Sequence, residues 1–74
     1  MTEGAYRVGI DFNPGKNPIV AELKRQSASL IDLILAIPQA NGREDEITRL
    51  QNIAVQAIED GAMWAVKAAT KPAR

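Results

Sequence analysis

Apolar residues recur at alternating spacings of three and four along two separate stretches of this chain, a periodicity that fits helices and not strands. The first stripe is Val20, Leu23, Ser27, Leu30, Ile34 and Ile37, and the second is Ile47, Leu50, Ala54, Ala57, Gly61, Trp64 and Ala68. Local punctuation bounds both. Asn17-Pro18 reads as an N-cap with proline at the first helical position, Pro38 blocks continuation, and Asn41-Gly42 can supply the positive-φ residues of a tight reversal. Glu44, Asp45 and Glu46 lead the second helix and Lys67 and Lys71 close it, complementing the helix dipole at both ends. The reading is an all-α single domain over 1–74: an arm over 1–17, a helix over 18–37, a turn over 38–43 and a helix over 44–70. The two helices form an antiparallel hairpin. The arm, punctuated by Gly4, Gly9, Pro14 and Gly15, is expected to be irregular, with at most a short turn or strand from Tyr6 to Ile10.

A hairpin of 74 residues buries barely enough apolar surface to offset the conformational entropy of ordering it. The usual reinforcements are missing, because the chain has no cysteine and no histidine, and so no disulfide, no thiolate site and no imidazole ligand. Association with further copies is the remaining route. Ile53, Val55, Ile58, Ala62, Val66 and Ala69 give the second helix another apolar face, and Ala57, Gly61 and Ala65 would let a second backbone approach closely. A homo-oligomer is therefore expected. The longest apolar run, Leu30 to Pro38, is interrupted by Asp32 and too short for a bilayer, and the N-terminus has no basic, apolar, cleavable pattern. A soluble, cytoplasmic chain with no membrane partner is expected. Nine basic against nine acidic side chains argue against binding long nucleic acids.

Catalytic chemistry has few parts to work with. Ser27 and Ser29 lie inside a helix without a histidine base, and no enzyme activity and no cofactor are expected. Glu44, Asp45 and Glu46 point in different directions around a first helical turn, so no metal site is expected there. The segment from Gly9 to Asn17 invites comparison with a phosphate-binding loop but has five residues between its glycines and Asn17 after Lys16. What remains is recognition chemistry. Tyr6 and Phe12 offer flat faces for stacking on bases, Arg7, Lys16, Lys24 and Arg25 offer cationic donors, and Asn13 can present a donor and an acceptor. The N–H groups that open the helix at Pro18 offer an anion site. Each residue also has a plain structural reading: Phe12 as a core plug, Lys24 and Arg25 as a solvated face, Asn13-Pro14 as a turn.

Three stretches, GAYRVGIDFNP from Gly4, NPIVAELKRQSASLIDLI from Asn17 and RLQNIAVQAIEDGAMWAVKAATK from Arg49, resemble the hairpin domain shared by phage anti-CBASS and anti-Thoeris sponge proteins. The likeness covers nearly the whole chain, is closer to the anti-CBASS branch, and is most specific in Met63-Trp64-Ala65-Val66-Lys67-Ala68 followed by Thr70-Lys71. It implies a non-enzymatic protein of the host bacterial cytoplasm that sequesters cyclic oligonucleotide messengers as a compact homohexamer. Cyclic dinucleotides are the implied ligands, with cyclic trinucleotides in a separate pocket for some members. By matching position, Phe12 would stack on a cyclic dinucleotide base and Lys24 would pair with its phosphates, while Asn13 and Arg49 would serve the trinucleotide pocket. Met63 and Trp64 read as core between helices or copies. Two other functions stay open: an anti-Thoeris sponge for cyclic ADP-ribose isomers, and a structural or protein-interaction hairpin without a nucleotide ligand.

Overall fold

The computed structural model describes residues 1–73; Arg74, the last residue of the expected 1–74 domain, lies outside the described residues. It contains three helices and, among those residues, no strand: α1 (Glu3–Val8), α2 (Pro18–Leu35) and α3 (Glu44–Ala69). The all-α expectation holds, and the irregular arm is corrected. Residues 3–8 are helical because the Thr2 side chain accepts the Ala5 N–H at 3.1 Å, Glu3 and Arg7 pair one turn apart, and Gly9 closes the helix at φ 64°. Six residues are too few to hold a helix in water by themselves. Docking supplies the rest: the Gly4 N–H donates to Asp32 Oδ1 on α2 at 2.8 Å, and Arg7 donates to Glu59 on α3 at 3.2 Å.

α2 starts as its sequence dictates, with Asn17 Oδ1 accepting the N–H groups of Ile19 at 2.8 Å and Val20 at 3.3 Å. Replacing Asn17 by alanine removes this cap and is expected to lower stability by about 1 kcal/mol, or roughly 4–8 °C in Tm. A thermal melt checks this. The helix ends at Leu35, two residues before the expected Ile37, where the buried Gln51 amide of α3 donates to the Ile34 carbonyl at 2.9 Å and the Ile37 carbonyl at 3.4 Å. Gln39 in turn donates to Gln51 Oε1 at 3.2 Å. A turn at 40–43, with Gly42 at φ 79° and the Arg43 N–H donating to the Ala40 carbonyl, reverses the chain into α3.

α2 and α3 run antiparallel, since Gln51 meets the end of α2 while Lys24, near its start, lies beside Ala62, Met63 and Val66. The face that α3 turns inward differs from the expected one. Val55, Ala62 and Gln51 are buried, whereas Leu50 is 50 % and Trp64 60 % exposed. In the middle of α3 the expected stripe offers only Ala54, Ala57 and Gly61, and there the stripe carrying Val55, Ile58 and Val66 turns toward α2 instead. On α2 the buried positions are Val20, Lys24, Ala28 and Ile31, because α1 occupies a second side of that helix, and Leu30 and Ile37 remain exposed. The result is a slab with Cα extents of 53 × 25 × 12 Å and a radius of gyration of 14.4 Å. A compact chain of this length would have a radius of gyration of roughly 11 Å. Its accessible surface is 5547 Å². A compact monomer of this mass would expose about 4,450 Å².

Candidate functional site

The segment between α1 and α2 has no regular structure, yet several of its backbone groups and the Asn13 side chain pair within it or with its neighbours. Gly9, in the left-handed region that glycine adopts without steric cost, turns the chain so that the Ile10 N–H reaches the Ala5 carbonyl and the Phe12 N–H the Gly9 carbonyl. At its other end the Asn13 amide donates to the Asn17 carbonyl at 2.9 Å while its oxygen accepts the Asn17 N–H at 3.1 Å. Lys24 closes the loop from beneath. Its ammonium donates to the Gly9 carbonyl at 2.9 Å and also to the Phe12 carbonyl, and it lies 5.4 Å from the centre of the Phe12 ring. The lysine is 6 % exposed; the phenylalanine above it is 73 % exposed.

Beside this loop is a recess of about 240 Å³ whose lining includes Arg7, Val8, Lys24, Glu59 and Met63. Arg7 bridges Glu3 and Glu59, and hydrogen bonds first to Glu3 and then to Glu59 push its guanidinium above the ordinary arginine range. Tyr6, on the same short helix, is exposed. Thus Phe12, Asn13, Lys24 and Arg7 come together around one end of the hairpin. Arg49 does not join them. It is exposed, paired with Glu46 at 2.5 Å, and about 21 Å along α3 from Met63 at the recess.

Several sequence expectations change in detail. Phe12 is no core plug, and Lys24 is not on a solvated face. The start of α2 is closed to an anion, because Pro18 has no N–H and those of Ile19, Val20 and Ala21 are taken by the side chain and carbonyl of Asn17. Arg25 is held by Glu22, whose carboxyl lies below its ordinary range through hydrogen bonds from Arg25 and then Gln26. Asp32, which holds α1, and Gln51, which closes the end of α2, are polar residues at helical spacing beside an apolar stripe, and that placement is their signal in the sequence. Among the described residues no group of three or more acidic side chains could hold a metal ion, and no helix is long and apolar enough to cross a membrane.

On the face that α1 leaves uncovered, α2 and α3 form an open groove of about 680 Å³, with Ile19, Leu23 and Leu30 along one wall and Ala57, Gly61 and Ala65 along the other. No curated protein and no solved structure matches the chain. The family model described as the Acb2/Tad1 hairpin domain does, over residues 4–70, which takes in α1, the braced loop and both long helices, and the chain belongs to that family.

Proposed function

We propose that this protein is a non-enzymatic phage anti-defence protein that binds and sequesters cyclic oligonucleotide messengers in the host cytoplasm, with cyclic dinucleotides as its principal ligands. The family membership supports the class of role. The observation that carries the ligand is Phe12: an aromatic ring 73 % exposed, over the Lys24 ammonium, on a loop braced by Asn13 and Lys24. Stacking of a base on such a ring contributes about 1–3 kcal/mol. The 240 Å³ recess beside the Phe12 loop is too small to enclose a cyclic dinucleotide, and the larger groove lies elsewhere, with neither Phe12 nor Lys24 in its lining. Copies of the chain therefore form the walls, and the assembly covers the apolar groove that one copy leaves open. Contact between copies is also what brings Arg49, with its separate location, to a ligand, and a second pocket for cyclic trinucleotides is assigned to it and Asn13.

A thermal-shift screen over cyclic dinucleotides, cyclic trinucleotides and cyclic ADP-ribose isomers tests the reading. A ligand at 100 times its dissociation constant adds about 2.7 kcal/mol, so a rise of roughly 10 °C or more is expected with at least one cyclic dinucleotide. The nucleotide is expected back unaltered after denaturation of the protein. Phe12→Ala is expected to weaken binding by about 5- to 150-fold while leaving the melting temperature of the free protein within a few degrees. A chemically altered nucleotide overturns the sponge reading, a response to cyclic ADP-ribose isomers alone moves it to the anti-Thoeris branch, and no response to any of them leaves a protein-interaction hairpin.

A further inference from the structure

We propose that Lys24 is a positioning residue, whose buried ammonium clamps the Gly9 and Phe12 carbonyls and thereby fixes the direction in which the Phe12 ring stands. The assignment rests on Phe12 being the stacking face. A lysine on a helix of this size ordinarily carries its charge out to water along its flexible stem. Lys24 does the opposite, and burial of a charge is unfavourable unless its donors are satisfied. Among the described residues no carboxylate is within 4 Å of it, and of the two acids lining the adjoining recess Glu59 is held by Arg7 and Asp60 accepts from Gln56. What satisfies the ammonium is the backbone of the loop itself: two carbonyls take two donors, and the ring at 5.4 Å lies over the charge.

This arrangement joins the two ends of a four-residue turn to one point on α2. Asn13 and Asn17 close the next turn, so the loop has little freedom left on either side of Phe12. A ring ordered before binding loses less entropy when a base stacks on it. The resemblance assigns a phosphate to this lysine; two of its three N–H donors are on the loop carbonyls, so a role through the ring and a role through a phosphate can be told apart only by what binding loses when the lysine is replaced. The two roles make opposite predictions.

Phe12 is the only phenylalanine, so incorporation of 4-fluorophenylalanine gives one fluorine resonance. In Lys24→Met without any nucleotide, that resonance is expected to shift and amide exchange from Ile10 to Phe12 to rise about tenfold or more, with the helical circular dichroism unchanged. Binding of 3′,3′-cyclic di-AMP is expected to weaken with its salt dependence unaltered, and the double variant with Phe12→Ala to bind within about threefold of Phe12→Ala alone. An unmoved fluorine signal overturns the proposal, as do additive losses with a reduced salt dependence. If wild type binds no cyclic dinucleotide, the function fails separately, and the ligand-free fluorine and exchange data still decide whether Lys24 holds the ring.

Discussion

Replacing Gly4 by alanine is expected to lift α1 off the hairpin and lower stability by about 2–3 kcal/mol, or roughly 10–20 °C in Tm for a domain of this size. The backbone of α1 approaches α2 more closely than any side chain would permit. A Cβ at Gly4 would lie 2.2 Å from the Ala28 carbonyl oxygen and 2.8 Å from Asp32 Oδ1. The first of these belongs to the middle of a helix and cannot step aside, so α1 must. With it go the Gly4 to Asp32 hydrogen bond and the Arg7 to Glu59 ion pair, and a six-residue segment freed from both has no means of staying helical. The effect should be local: amide exchange is expected to rise from Glu3 to Val8 and in the loop beyond Gly9, while α2 and α3 keep their helical signal. Melting must be compared at equal protein concentration, because the proposed association would contribute to apparent stability. An unchanged melting temperature with an unchanged exchange pattern would show that α1 does not rest on this contact.

The same contact explains why α1 was not legible in the sequence although the hairpin was. Asn17-Pro18, Pro38 and the acidic start of α3 act through neighbours in the chain, and their signals can be read one residue at a time. Thr2, the Glu3 and Arg7 pair and Gly9 are helix signals too, but over six residues they are outweighed by the glycines around them. What decides for a helix is the meeting of Gly4 with Ala28 and Asp32, a contact made across 24 to 28 positions. The phase of α3 was hidden for a different reason. Alanine fits any side of a helix, so the three-four rhythm fits two stripes, and in the middle of α3 the bulk of Val55, Ile58 and Val66 prevails over Ala54, Ala57 and Gly61.

At the site, the residue types were legible and their engagements were not. Phe12, Asn13 and Lys24 could be named from their chemistry, yet Asn13 serves the loop through two bonds to Asn17, and Lys24 holds two carbonyls. Buried polar groups are satisfied by whatever the fold places beside them, and that neighbour is set by packing rather than by spacing along the chain.

Gly61→Arg is expected to act in opposite directions on the single chain and on its assembly. Glycine in the interior of a helix is less favourable than alanine by about 0.5–1 kcal/mol, and is ordinarily kept where something approaches closely. Within one chain nothing approaches: Gly61 is exposed in the middle of the 26-residue α3, and a Cβ there meets no atom within 4 Å. Arginine is therefore accommodated, and its higher helix propensity should stabilise the isolated chain by roughly 0.5–1 kcal/mol. Gly61 also lies in the wall of the apolar groove with Ala57 and Ala65, where the proposed contact between copies needs small residues. The chain exposes roughly 1,100 Å² more surface than a compact monomer of its mass would. That excess exceeds the roughly 800 Å² each partner contributes to a stable interface. A long guanidinium standing in the groove is expected to abolish the assembly, seen as a monomer by light scattering at concentrations where wild type is associated. Gly61→Ala, which adds one methyl, is expected to weaken association without removing it. An arginine variant that assembles like wild type would place the contact elsewhere and leave the groove without a partner. With the nucleotide site proposed to lie between copies, loss of assembly is expected to remove tight nucleotide binding as well, while exchange in the Phe12 loop stays as in wild type. That combination separates a site built between copies from one built within a single chain.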